Sequence, residues 1–218
     1  MTTNLQLQQS VVAELRWEPS IDAADIGVIV RDGIVTLTGS VANYAQRLAA
    51  ERAAQRVAGV QAVADELTVA LPALHQRTDA DIARAVANAV AWDVEVPDGV
   101  KAVVHDGWVT LNGRVRWYFE KAAAERCVRY LAGVRGITNE LEVVPPATVN
   151  PARVKTDIEA ALARNAELDA ANISVAAVNG TVTLSGTVRS WAERQDATRA
   201  AWNAPGVEFV NDELVLRV

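Results

Sequence analysis

Apolar residues fall at intervals of four in three separate stretches of the chain: Leu7, Val11 and Leu15; Ile82, Val86 and Val90; Val154, Ile158 and Leu162. That interval puts each trio on one face of a helix, so each stretch predicts an amphipathic helix. Thr78 ahead of the second helix and Asn150 ahead of the third are N-cap residues, and Pro151 suits a first helical position. After each helix the period shortens to two. Ile26, Val28 and Val30 align with Val100, Ala102 and Val104 and with Ile173, Val175 and Ala177, the pattern of a strand with one buried face.

Each of these strands runs into Asp32-Gly33, Asp106-Gly107 or Asn179-Gly180. Such dipeptides suit a two-residue hairpin, whose corner residues both need positive φ. A second alternating strand follows, with Val35, Leu37 and Val41 in the first copy. Gly39, Gly113 and Gly186 sit inside that strand, where glycine marks a bulge or a close backbone approach. A second helix then runs to Gly59, Gly133 and Gly206, each placed to supply a left-handed stop. Its apolar face is small: Ala50, Ala53 and Val57 align with Ala124, Cys127 and Leu131 and with Ala197, Ala200 and Ala204, which predicts close packing on the strands. A third strand closes each copy through Leu67 and Val69, Leu141 and Val143, or Leu214 and Leu216.

The segments that begin at Asp32, Asp106 and Asn179 align without a gap, and the repeat is long enough for each copy to be a complete fold. The predicted fold class is α+β: three tandem two-layer α-β-β-α-β modules, each with a small mixed sheet and two helices on one face. The intervening helix lets the third strand run parallel to its neighbour. The modules are expected at 5–71, 77–145 and 150–218, joined by short linkers, the second of them stiffened by the string PPATVNP.

The repeated pattern DG-x-V-T-L-x-G-x-V, then an Ala-rich helix with A-E-R, then A-G-V and E-L-x-V, resembles the BON domain (bacterial OsmY and nodulation). The likeness covers all three copies and nearly the whole chain. It implies a non-catalytic module of the bacterial cell envelope, OsmY-like, tied to osmotic or general stress and to attachment on phospholipid membranes. Many relatives of that kind carry two copies and an export leader, whereas this sequence has three copies and no leader is seen.

Charge narrows the partners. The formal net charge is -6, which argues against nucleic acid or a strongly anionic membrane as the main partner, since both demand a positive field. The amino-terminal string MTTNLQLQQSVVAELRWEPS lacks a basic leader, an apolar core and a cleavage site, so the expected compartment is the cytoplasm. A leader removed beforehand would make it periplasmic. No apolar run approaches the about 18 residues of a transmembrane segment.

Chemistry-bearing residues are sparse. His75 falls in a linker and His105 on a strand, with no spacing that suggests a metal centre. The single cysteine, Cys127, aligns with Ala53 and Ala200 and reads as a small core-facing residue. No catalytic residue, cofactor or metal is therefore expected, and the chain reads as a non-enzyme. Tyr44, Tyr118 and Trp191 recur at the start of the second helix and read as packing residues, with a membrane or partner anchor as the alternative. Arg52, Arg126 and Arg199 could pair with Glu66, Glu140 and Glu213, or all could be solvated.

The middle copy gathers the basic residues, with 9 Lys and Arg against 10 acidic residues over 72–145, compared with 5 against 8 over 1–71. Arg114, Arg116, Lys121 and Arg129 stand close in sequence to Trp117, Tyr118, Phe119 and Tyr130, a combination that suits a lipid headgroup layer or a partner surface. The other reading puts Trp117 and Phe119 at an interface between copies. Trp17 and Trp92, near the ends of equivalent first helices, either face a partner or cap the core. Two functions follow: a scaffold that touches phospholipid or another protein through the middle copy, or a cytosolic protein-interaction or self-association module with no lipid role.

Overall fold

A two-residue corner joins the first two strands of each copy. Asp32, Asp106 and Asn179 lie at φ 49°, 50° and 46°, and the glycines after them at 78°, 77° and 78°, so both corner residues are left-handed as a tight hairpin requires. The computed structural model describes residues 3–145, 150–165 and 168–217; most of the PPATVNP string, 146–149, lies outside the described residues. The first copy comprises α1 (Asn4–Trp17), β1 (Ile26–Arg31), β2 (Ile34–Val41), α2 (Tyr44–Arg56) and β3 (Ala62–Val69). The second comprises α3 (Asp79–Trp92), β4 (Lys101–His105), β5 (Trp108–Asn112), β6 (Arg114–Val115), α4 (Tyr118–Val128), β7 (Gly136–Asn139) and β8 (Glu142–Val143). The third comprises α5 (Pro151–Arg164), β9 (Ile173–Val178), β10 (Thr181–Val188), α6 (Trp191–Trp202) and β11 (Phe209–Leu216).

In the first copy β2 is central, antiparallel to β1 and parallel to β3. The corner pairs Arg31 with Ile34 and so Val28 with Leu37 and Val30 with Val35, which sends these four side chains to the buried face. The third copy repeats this topology. In the second copy Gly113 interrupts the central strand, leaving β5 and β6 as separate pieces, and the parallel partner splits into β7 and β8. Each copy has its own core, and the helix trios Leu7, Val11, Leu15 and Val154, Ile158, Leu162 are fully buried in theirs. Ile82 and Val86 are buried in the middle core, with Val90 packed against it.

Local side chains fix how the first helix meets the corner. The Asp79 carboxylate, at the first position of α3, accepts the N–H groups of Asp106 and Gly107, each at 2.9 Å. Asn4 does the same for Asp32 N–H at 3.1 Å. Thr78 and Asn150 act as N-caps, accepting from Asp81 and Ala152.

Several sequence expectations shift in detail. The buried face of the second helix is broader than expected: Ala50, Ala53, Ala124, Ala197 and Ala204 are buried as anticipated, Ala54, Val128 and Ala201 join them, and Val57, Cys127, Leu131 and Ala200 are half-buried. The helices end at Arg56, Val128 and Trp202, short of Gly59, Gly133 and Gly206. Those glycines are left-handed, but they serve the turn that leads into the third strand, as where Val60 N–H bonds Val57 carbonyl. None of the three anticipated Arg–Glu combinations occurs among the ion pairs of the described residues; Arg126 pairs with Glu95 and Arg199 with Asp196. The recurring pair is instead Arg47 with Asp65 at 2.7 Å and Arg194 with Asp212 at 2.8 Å, which ties the second helix to the third strand.

Gly39 and Gly186 are required by close approach. A Cβ on either would lie 2.0 Å from a backbone carbonyl oxygen, that of Asp25 or of Asn172, and φ is +108° and +122°. Gly186→Ala is expected to lower stability by about 2 kcal/mol or more through strain and displacement of that backbone, a loss readable as a lower denaturant midpoint.

Glu193, only 4% exposed, stands in the first turn of α6 and accepts with both oxygens. Arg189 N–H and Asp169 N–H donate to them at 2.5 and 2.9 Å, and the Arg189 side chain adds a further contact. Burial pushes this carboxyl up, but the two backbone donors and Arg189 outweigh it, so it ionises below the usual carboxylate value. A folded-state pKa below the unfolded one adds stability above the unfolded pKa, and that stability is lost as pH falls through the folded value. Glu193→Gln is expected to cost about 1–2 kcal/mol near neutral pH and to flatten the loss of stability below the normal Glu range in a pH series of denaturant melts. An acid response identical to wild type would show that this carboxylate is not the source.

Candidate interaction surfaces

The ends of the first helices carry the most exposed aromatics. Trp17 closes α1 and Trp92 closes α3, and they are 83% and 87% exposed, so they face solvent and do not cap the core. Next to each along the chain, Arg16 or Ala91 helps to line a cleft between the helix and the first strand, built largely of apolar side chains but with more polar than apolar surface exposed. In the first copy the cleft has a volume of about 470 Å³ and is lined by Val12, Leu15, Ile21, Ile26 and Val28 among others. In the second it measures about 300 Å³, lined by Val86, Val90, Val96, Pro97, Val100 and neighbours. Leu15 corresponds to Val90, Ile26 to Val100 and Val28 to Ala102, so the same place in two copies offers the same kind of cleft.

The basic and aromatic residues of the middle copy are distributed over both ends of α4. At its start Arg114 is exposed and paired with Glu142 at 3.2 Å, Arg116 is exposed, Trp117 is half-buried and Phe119 is 51% exposed. Lys121 is half-buried and donates to the Leu141 carbonyl at 2.7 Å; burial pushes its ammonium down. Beyond the helix, Tyr130 is exposed, whereas Arg129 is half-buried and bonded to Glu125 at 2.9 Å. One helix length thus separates Arg114, Arg116 and Phe119 from Arg129 and Tyr130.

The residue at the head of each second helix lies between copies. Tyr44 packs against the core of the second copy, beside a cavity of about 240 Å³ lined by Asn43, His75, Arg129, Leu131 and Gly133 among others. Arg129 Nε is buried there without an acceptor among the described residues. Tyr118 stacks on Trp202 of the third copy, with ring centroids 4.4 Å apart and planes 12° from parallel. Trp191 donates from Nε1 to the Val60 carbonyl of the first copy at 3.1 Å, while the Arg194 guanidinium sits 5.2 Å from its ring centroid. Burial, with the Glu125 carboxylate nearby, pushes the phenols of Tyr44 and Tyr118 up. The ring contact between copies is thus made by Tyr118, whereas Trp117 is half-buried and Phe119 stays exposed.

A family model for the BON domain matches residues 3–70, 78–145 and 150–218. The chain belongs to the BON family. Comparison with curated proteins gave no match. Among solved structures, the chain is similar at 14% identity and a TM-score of 0.28 to CdsD, a structural protein of the type III secretion system of Chlamydia trachomatis, over 96% of this chain and 91% of that one. The C-terminal domain of CdsD gives 14% identity and 0.28, over 99% and 100%. The PrgH periplasmic domain gives 9% and 0.23, over 90% and 97%. Scores this low carry no argument about the present chain.

BON domains are generally non-catalytic, and membership supports a binding or scaffold role. Among the described residues no group of three or more His, Cys, Asp or Glu side chains could hold a metal ion, and no helix is long and apolar enough to cross a membrane. His105 is exposed beside Asp106, and His75 lines the cavity at Tyr44. The Cys127 thiol donates to Ala124 carbonyl at 3.2 Å, and burial pushes its pKa up to about 11. A thiol so rarely ionised near neutral pH is a poor nucleophile. Native BON chain is therefore expected to react with iodoacetamide at least about tenfold more slowly than after denaturation at pH 8, as followed by mass spectrometry; equal rates would mean an accessible, ionised thiol.

Proposed function

We propose that this BON protein is a non-enzymatic scaffold that associates with phospholipid surfaces through the first-helix ends of copies one and two, in a role tied to osmotic or general envelope stress. The observation that carries the reading is the solvent-facing tryptophan repeated at the same helix end in two copies, Trp17 and Trp92. Tryptophan favours the headgroup layer of a bilayer, where its ring is half in apolar and half in polar surroundings. A net charge of -6 leaves little general attraction to anionic lipid, so apolar insertion is the main driving term. Arg114, Arg116 and Phe119 supply a local basic and aromatic addition. The cytoplasm is the compartment we assign to this work.

Vesicle sedimentation at low salt tests the idea, with phosphatidylcholine vesicles alone and with added anionic lipid. Trp17→Ala with Trp92→Ala is expected to lower binding to both vesicle types by about tenfold. Arg114→Glu with Arg116→Glu is expected to weaken binding only where anionic lipid is present, and less so as salt rises. No sedimentation of the wild-type chain, or binding indifferent to both double substitutions, removes the lipid role. The second reading, a cytosolic protein-interaction module, is favoured by the aromatic contacts between copies; recovery of specific soluble partners with retention in the cytosolic fraction under hyperosmotic shock would support it instead.

A further inference from the structure

The three contacts between copies use equivalent positions. Tyr44, Tyr118 and Trp191 are the first residues of α2, α4 and α6. Each meets the same region of the next copy, the end of its second helix and the turn beyond: Arg129 to Gly133, Trp202, and Val60. The direction is also the same, from copy one to two, two to three and three to one. A contact between two unlike patches, repeated in one direction, either grows without limit or closes; here it closes after three. The first two joints connect copies that are also consecutive in the chain. The third, between Trp191 and Val60, joins copies that are not consecutive, so only non-covalent contacts hold it.

We propose that the aromatic at the head of the second helix is a docking group for the second-helix end of another BON module, and that this chain occupies all three such sites itself by closing head to tail. The partner chemistry is specific. An aromatic ring with a polar tip is held by a flat or apolar seat or by an acceptor for its indole or phenol proton, and the second-helix end with the turn beyond it supplies one or the other. Trp202 supplies the seat in the third copy, and the Val60 carbonyl the acceptor in the first. This proposal is independent of the lipid reading, which rests on the first helices.

Hydrogen exchange by mass spectrometry on the full chain tests it, because the readout lies in a different copy from the substitution. Trp191→Ala is expected to speed exchange over residues 57–61 of the first copy by about tenfold and to enlarge the radius of gyration in solution scattering, while the core of the second copy keeps its protection. Trp191→Phe, which keeps the ring and loses the N–H, is expected to fall between. Phe119→Ala, at an exposed aromatic beside a joint, should change neither. If Trp191→Ala unfolds the third copy, Tyr44→Ala puts the same question through exchange over 129–134 of the second. The proposal is overturned if the residue-191 substitution alters only the third copy, or if Tyr44→Ala leaves 129–134 as protected as before.

Discussion

A hairpin corner with two left-handed residues is the constraint on which each BON copy depends. It sets Arg31 opposite Ile34, and from there every second residue of both strands is directed to the same face. A slip of one position would turn Val28, Val30, Val35 and Leu37 to solvent and remove the surface on which both helices lie. The first helix is then tied back to that corner by Asn4 or Asp79. Hydrophobic burial drives the packing, but the corner chooses which side chains are buried.

Much of this was legible in the sequence because it is local. Asp-Gly and Asn-Gly corners, period-two strands and the caps at Thr78 and Asn150 follow from the conformational preferences of a few adjacent residues. The parallel third strand follows from having a helix between it and its partner. What was less legible depends on how elements rotate against one another. A helix whose face is mostly alanine gives a weak periodic signal, so the pattern marks Ala53 and Cys127 but not Ala54 and Val128, of which Ala53, Ala54 and Val128 are buried and Cys127 is half-buried. The recurring Arg47–Asp65 pair was missed for a related reason, since the middle copy breaks the pattern with Lys121 and Asn139 at those positions.

The candidate surfaces were legible in residue type and not in place. Composition marks Arg114 to Tyr130 as rich in cations and aromatics, but α4 sets its two ends apart and directs Tyr118 and Arg129 toward other copies. Trp17 and Trp92 carried no such local signal, since a tryptophan at a helix end serves a core or a partner equally well. Only the path of the chain after the helix decides the matter, and here it leaves both rings in water.

Tandem copies that share one fold need not share one task, and the differences here fall where tasks would diverge. The position of Trp17 and Trp92 is taken in the third copy by Arg164, the last residue of α5. The seat for the docking aromatic is Trp202 in the third copy and Arg129 in the second. An aromatic seat gains from stacking, whereas a half-buried guanidinium needs partners, and Glu125 takes one of its N–H groups while Nε has no acceptor among the described residues. The joint at Arg129 therefore carries a desolvation cost that the joint at Trp202 avoids.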